Sequence, residues 1–255
     1  MYALEDILAL AEQYYWPFLR LSALFLAAPV FSADAFPVRA RVFLAVLVTA
    51  VVTPSLPTPP DIDIVSAIGF LFAAQQIVIG LAMGFLMQMV FAAAVVAGQA
   101  IAMAMGLGFA MSVDPQNGVQ VPVLSQFYVI LSTLLFLSMN GHLVLIELLV
   151  NSFTFIPVGL ASLSDNFALN IVLWASQMFL GALVVALPAL TALLLINLAF
   201  GVITRAAPQL NIFAVGFPIT ILAGFVFVFL SMPSSFALFA NVMESAFEQI
   251  VLLVR

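Results

Sequence analysis

Met105-Gly106-Leu107-Gly108-Phe109-Ala110-Met111-Ser112-Val113-Asp114-Pro115-Gln116-Asn117-Gly118-Val119-Gln120-Val121-Pro122 lies near the middle of the 255-residue chain, between two long apolar runs. It holds three glycines, two prolines and the only acid of a large uncharged region. Glycine opens unusual backbone angles, and proline fixes φ and removes a donor. A helix entering at Met105 is not expected to reach Val121 unbroken. Irregular backbone is very costly against lipid and is tolerated where protein buries it or a cavity borders it. The stretch therefore reads as a re-entrant or interfacial loop inside an assembly, close to a transport path.

The surrounding composition is that of a membrane protein. Hydrophobic residues make up 66% and charged residues 6%, against roughly half and a quarter in soluble domains. So few charges do not cover a soluble surface of this size. Lysine is absent, and the cations are Arg20, Arg39, Arg41, Arg205 and Arg255. That excludes the clustered cations of a nucleic-acid site and a polybasic lipid patch. With no cysteine, disulfides, thiol chemistry and cysteine-based zinc sites are ruled out. Glu5, Asp6 and Glu12, with no early cation, do not fit a cleavable signal peptide.

Residues 4–16 alternate acids with Leu4, Ile7, Leu8 and Ala11 at helical spacing, an amphipathic lead-in to an apolar helix over 18–33. Arg20 falls inside that helix, and two readings stand open. It snorkels to the interface, or it pairs with an acid of a partner chain. After the polar break 34–41 a helix is expected over 42–53. It stops at Pro54-Ser55-Leu56-Pro57-Thr58-Pro59-Pro60, which cannot be helical.

Ile64 to Val113 carries no charge and is far longer than the roughly 20 residues of one span. A hairpin or one long bent helix is expected. Gly80 and Gly84, and Ala94 and Gly98, are small residues four apart, which let helices approach closely. Met83, Met87 and Met89 are either adaptable packing or a flexible lining around a moving substrate. A second run, 119–146, ends in Asn140-Gly141-His142 and Glu147, followed by a loop over 151–165. The runs 166–204 and 206–243 again exceed one span. Pro188 with Asn197, and Pro218 with Gly224, are the expected breaks. Glu244, Glu248 and Arg255 mark an amphipathic tail.

Little points to an enzyme. His142 is the only histidine, so a metal centre lacks its usual ligands. No Gly-x-Ser-x-Gly elbow occurs, and a phosphate loop lacks its lysine. His142 with Glu147 is a proton relay on spacing alone, or a helix-end histidine making ordinary hydrogen bonds. Asp114 before Pro115 either starts a turn or serves an ion or proton. No cofactor is expected.

Three stretches carry a resemblance. Gly98-Gln99-Ala100-Ile101-Ala102-Met103-Ala104-Met105-Gly106-Leu107-Gly108-Phe109-Ala110 with Asp114-Pro115-Gln116 is the first, and Asn140-Gly141-His142 the second. The third is Arg205-Ala206-Ala207-Pro208-Gln209-Leu210-Asn211-Ile212-Phe213-Ala214-Val215-Gly216-Phe217-Pro218. Together they resemble, in the same order, the flagellar branch of the FliR/SctT family of type III export-gate proteins. The likeness covers essentially the whole chain. It departs at Gln99, where the family often has an acid, and at Ala102 and Ala104.

The resemblance implies an all-α polytopic membrane protein of long kinked helices and hairpins, part of a multi-subunit gate. It implies a FliP-like part over about 1–165 and a FliQ-like hairpin over about 166–255. It implies FliP and FliQ homologues as partners, an FlhB-type gate protein beside them, and unfolded export substrates in transit. The location implied is the bacterial inner membrane, in the flagellar basal body. It places 106–122 in the channel as a plug, with Gly106, Leu107, Gly108, Phe109, Ala110, Met111, Asp114 and Pro115 as gate residues. Arg205, Pro208, Gln209 and Asn211 become assembly contacts. The competing class is a small-solute secondary transporter using Asp114 or Glu147. It lacks an inverted repeat.

Overall fold

The computed structural model describes residues 4–33, 36–60, 62–108, 111–113, 120–159, 166–206 and 212–254. The chain is all-α in class. Among the described residues, its helices are α1 (Leu4–Ala27), α2 (Val38–Val52), α3 (Ala67–Ala104), α4 (Val123–Ser138), α5 (Gly141–Phe155), α6 (Phe167–Ala206) and α7 (Ile212–Leu253). A 3-10 turn, Thr53–Ser55, extends α2. Two three-residue strands, β1 (Met111–Val113) and β2 (Gln120–Pro122), pair antiparallel.

Four helices are long and apolar enough to cross a membrane: Val38–Ser55, Ala67–Ala104, Phe167–Ala206 and Val215–Val254. The broken pair α4 and α5 qualifies as a fifth if it counts as one span.

The segmentation expected from sequence holds at the glycine- and proline-rich breaks, except that Pro54 and Ser55, expected to be non-helical, continue α2 as a 3-10 turn, and it fails at isolated prolines. Lead-in and apolar helix merge into α1, with Pro17 inside it. The uncharged run 64–113 yields one 38-residue helix rather than a hairpin. α5 continues to Phe155, past the expected loop start at 151.

α6 passes through Pro188 and Asn197, and α7 through Pro218, Gly224 and Pro233, without interruption. In apolar surroundings a broken turn has no water to satisfy it, so the backbone stays helical despite the missing donor. Nearby hydroxyls turn back onto carbonyls. Thr191 Oγ1 donates to the Leu187 carbonyl at 2.9 Å, and Ser231 Oγ donates to that of Val228 at 3.1 Å.

The chain forms two compact units. Unit 1 comprises Met1–Met89, Leu137–Ala175 and Ser245–Arg255. Its core joins Trp16, Leu21, Leu24 and Phe25 of α1 to Ile79, Met83, Leu86 and Met87 of α3 and Leu145 and Leu149 of α5. The rings of Phe25 and Phe31 stack at 4.4 Å. Burial of Met83, Met87 and Met89 settles their two readings for packing. Gly80 and Gly84 are the seam against α1. A Cβ on Gly80 would stand 2.9 Å from Ala23 Cβ, and one on Gly84 2.7 Å from Ala27 Cβ. The tail is amphipathic as expected, with Ala246, Ile250 and Leu253 buried and Glu248 exposed.

Unit 2 comprises Val90–Phe136 and Ser176–Glu244. Its core is rich in small residues. Ala93, Ala94, Ala97 and Ile101 of α3 meet Leu124 and Tyr128 of α4, Ala182, Val185, Ala186, Ala189 and Leu193 of α6, and Val228 and Phe239 of α7. The α6 positions recur at three- and four-residue spacing, one stripe of a helix. Gly98 brings α3 onto α4: a Cβ there would lie 2.5 Å from Ser125 Cα. Ser125 Oγ donates to the Val95 carbonyl across the same seam at 2.9 Å.

Candidate functional site

The loop root is built by the end of α3. The Leu107 N–H donates to the Ala102 carbonyl at 2.8 Å, and the Gly106 N–H to that of Met103 at 3.1 Å. These two bonds with a left-handed residue are a Schellman cap. Gly106 takes that position with φ +80°, which is why a glycine ends this helix. Met105, fully buried, rests on Gly224 of α7, where a Cβ would be 2.6 Å from its sulfur. Gly106 itself faces Phe217 of α7, whose Cε2 would be 2.8 Å from a Cβ there. Both contacts are internal to unit 2.

Beyond the root the stretch is not wholly irregular, which corrects the reading as a plain loop. β1 and β2 pair in the register Met111↔Pro122, Ser112↔Val121 and Val113↔Gln120. A ribbon lets two short segments satisfy each other's backbone groups where water is scarce. Pro122 closes it at the strand end, the position a residue without an N–H tolerates. α4 follows at once.

Of the proposed gate residues, Gly106, Leu107 and Gly108 lie at the root and Met111 begins β1. Phe109, Ala110, Asp114 and Pro115 lie outside the described residues. Arg205 is exposed in the last turn of α6, where a cation suits the helix dipole. Pro208, Gln209 and Asn211 lie outside the described residues.

Two cavities of unit 2 border the root. One, about 400 Å³, is lined by Leu107, Val123, Leu124 and Phe127 with Phe225, Val228, Phe229 and Met232 of α7. The other, about 410 Å³, adds polar groups: Asn197, Thr204 and Thr220 stand with Gly106, Phe200 and Phe217.

Elsewhere the structure brings together what sequence reading did not. Arg20 is fully buried and touches no acid among the described residues. Its Nε donates to Gln76 Oε1 at 2.8 Å, one terminal nitrogen donates to Ser152 Oγ at 2.7 Å, and the other to the Ile156 carbonyl at 2.9 Å and to Gln76. Both earlier readings, snorkelling and an ion pair with a partner, are overturned. The head has no route to water, and neutral oxygens occupy it. The sequence signal was Gln76, a polar side chain in an uncharged run.

His142 and Glu147 are not brought together. Five residues apart on α5, they diverge by about 140° around the helix, and Glu147 is exposed. Among the described residues no three His, Asp or Glu side chains gather as a metal-binding group.

A family profile described as bacterial export proteins, family 1, matches residues 11–246. The chain belongs to that family. It is 44% identical over 220 residues to the flagellar biosynthetic protein FliR of Escherichia coli K12, covering 86% of this chain and 84% of that protein. The FliR of Pectobacterium carotovorum is 42% identical over 230 residues, with 89% and 87% covered. The FliR of Bacillus subtilis is 31% identical over 248 residues, with 96% and 95% covered. In this chain the stretch sits between α3, which is of spanning length, and the bent pair of α4 and α5, which reaches that length only when counted together.

Proposed function

We propose that this chain is a non-enzymatic structural and gating subunit of a flagellar type III protein-export gate in the bacterial inner membrane, at the basal body. It forms the pore with FliP and FliQ homologues, meets an FlhB-type protein, and passes unfolded substrates. One observation carries this reading. α6 and α7 have 40 and 42 residues, roughly 60 Å each at 1.5 Å per residue. The hydrocarbon core is about 30 Å thick. Yet large apolar side chains are exposed along all of α6, from Leu169, Val172 and Leu173 to Leu194, Leu198 and Val202. Lipid covers only about half of such a face. The remainder calls for partner chains, and a multi-subunit gate supplies them.

In this reading residues 1–165 are the FliP-like part and 166–255 the FliQ-like hairpin. The antiparallel packing of α6 and α7, with Gly181 against Val242 and Asn197 bordering one cavity with Thr220, supports the hairpin. Arg205, Pro208, Gln209 and Asn211 are the residues that contact neighbouring subunits.

The loop 106–122 closes the pore. Gly106, Leu107, Gly108, Phe109, Ala110 and Met111 supply an uncharged, soft constriction, which excludes ions by dewetting. Asp114 and Pro115 end it. Deleting 107–111 in the assembled gate is expected to raise ion conductance across the membrane. Unchanged conductance sinks the plug. Mass analysis of the detergent-extracted complex tests the partners, since a small-solute transporter would purify without them.

A further inference from the structure

Arg20 is the most deeply buried charge among the described residues, and it sits in a helix that is not one of the four apolar enough to cross a membrane. α1 is nevertheless a core helix of unit 1, with Trp16, Leu21, Leu24 and Phe25 at 1% exposure or less. Its own helix offers the guanidinium nothing. All four hydrogen bonds go to residues 56 to 136 positions later in the chain. The guanidinium carbon also lies 3.8 Å from the centroid of the Phe153 ring, a cation–π contact.

The receiving surface has two parts, one turn apart on α3. Gly80 clears space for the α1 backbone, since a Cβ there would run into the carbonyl of Arg20 itself. Gln76 then receives the side chain. Its Oε1 accepts two bonds while its Nε2, fully buried, has no partner. An orphaned amide nitrogen in a core is costly. Here it is the consequence of turning the oxygen toward a cation. α5 completes the socket with Ser152 and the Ile156 carbonyl.

We propose that this socket makes the placement of α1 conditional on α3 and α5. A guanidinium stays charged at neutral pH and is expensive to leave in hydrocarbon or an apolar core. α1 therefore docks only where Gln76, Ser152 and the end of α5 already stand. The socket couples the first helix of the chain to its middle. It does so whatever assembly the protein enters.

The chain contains no cysteine, so one introduced thiol reports cleanly. In the full-length protein in detergent, Leu21→Cys, at a position 1% exposed, is expected to resist N-ethylmaleimide. Gln76→Leu should raise its labelling rate at least tenfold, because the charge loses its main acceptor. Arg20→Met added to Gln76→Leu should restore protection, because no charge remains to be housed. Gln76→Glu should keep protection, since the acceptor stays and a counter-charge arrives. A second reporter, Ala186→Cys in unit 2, should stay protected in every variant. The proposal is overturned if Gln76→Leu leaves Leu21→Cys protected. It is equally overturned if Arg20→Met fails to rescue, which makes Gln76 a packing residue. Exposure of Ala186→Cys together with Leu21→Cys means general unfolding and overturns it too.

Discussion

Phe217 packs against Gly106 so closely that a methyl group at Gly106 would stand 2.8 Å from the ring's Cε2. The same glycine holds φ +80° in the cap of α3. Gly106→Ala therefore meets two penalties. The left-handed backbone alone costs about 1–2 kcal/mol, and the ring must shift. A lower thermal midpoint of the purified chain is expected, with a smaller loss for Gly106→Asn, which tolerates that backbone better. Gly108→Ala is the control, because its nearest neighbour would be 3.6 Å away. If Gly108→Ala is as damaging as Gly106→Ala, the cap and ring contact are not the cause.

Gly98 and Gly201 predict opposite outcomes for the same substitution. At Gly98 an added Cβ meets backbone, Ser125 Cα at 2.5 Å and Ser125 N at 2.7 Å. Backbone does not turn aside as a side chain does, so Gly98→Ala must separate α3 from α4, at about 1–3 kcal/mol. At Gly201 nothing lies within 4 Å. Gly201→Ala in mid-helix should stabilise the isolated chain by about 0.5–1 kcal/mol. If it also lowers recovery of the assembled complex, a partner helix packs on that bare face of α6. Thermal unfolding of the chain and yield of the complex separate the two effects.

These contrasts mark what was legible in the sequence. Gly80, Gly84 and Gly98 announced close helix seams by spacing alone, and the structure places α1 and α4 against them. The dense cluster of glycine and proline after Met105 correctly stopped a helix. Single prolines did not, because at Pro188 and Pro218 no water stands by to satisfy a broken turn, and the helix continues. The ribbon of β1 and β2 was hidden because three-residue strands carry no usable period. Arg20 was misread for a different reason. Its acceptors are scattered across α3 and α5, and no local pattern ties position 20 to positions 76, 152 and 156. Of the candidate site the sequence offered composition and a break, while the root contacts with Phe217 and Gly224 needed the fold.

Asn140 supports the short break between α4 and α5. It adopts φ 56° and ψ 27° with no side-chain capping bond, so its conformation rather than its amide is what the site uses. Asn140→Gly should change the unfolding free energy by no more than about a few tenths of a kcal/mol, as glycine takes that conformation freely. Asn140→Val should cost about 1–2 kcal/mol, since a β-branched residue resists it. Equal behaviour of the two variants would mean that the amide has a role after all.

Met105 and Gly224 tie the loop root to α7 through one contact, which makes them a pair to test by a double-mutant cycle. Met105 is fully buried and three of its side-chain atoms crowd the place where a Cβ of residue 224 would stand. Methionine is flexible, yet a side chain enclosed on all sides has little room to use that freedom. Gly224→Val is therefore expected to lower the thermal midpoint clearly, although valine in place of glycine gains helix propensity. Met105→Ala alone should also destabilise, by leaving a cavity of the kind that costs about 2–5 kcal/mol. Combined, the two should largely compensate, because the new valine fills the space the methionine left. A coupling of at least about 1 kcal/mol is expected, well beyond the few tenths seen for independent sites. Additive losses would show that Met105 escapes the added side chain, and that α7 does not hold the end of α3 through this contact.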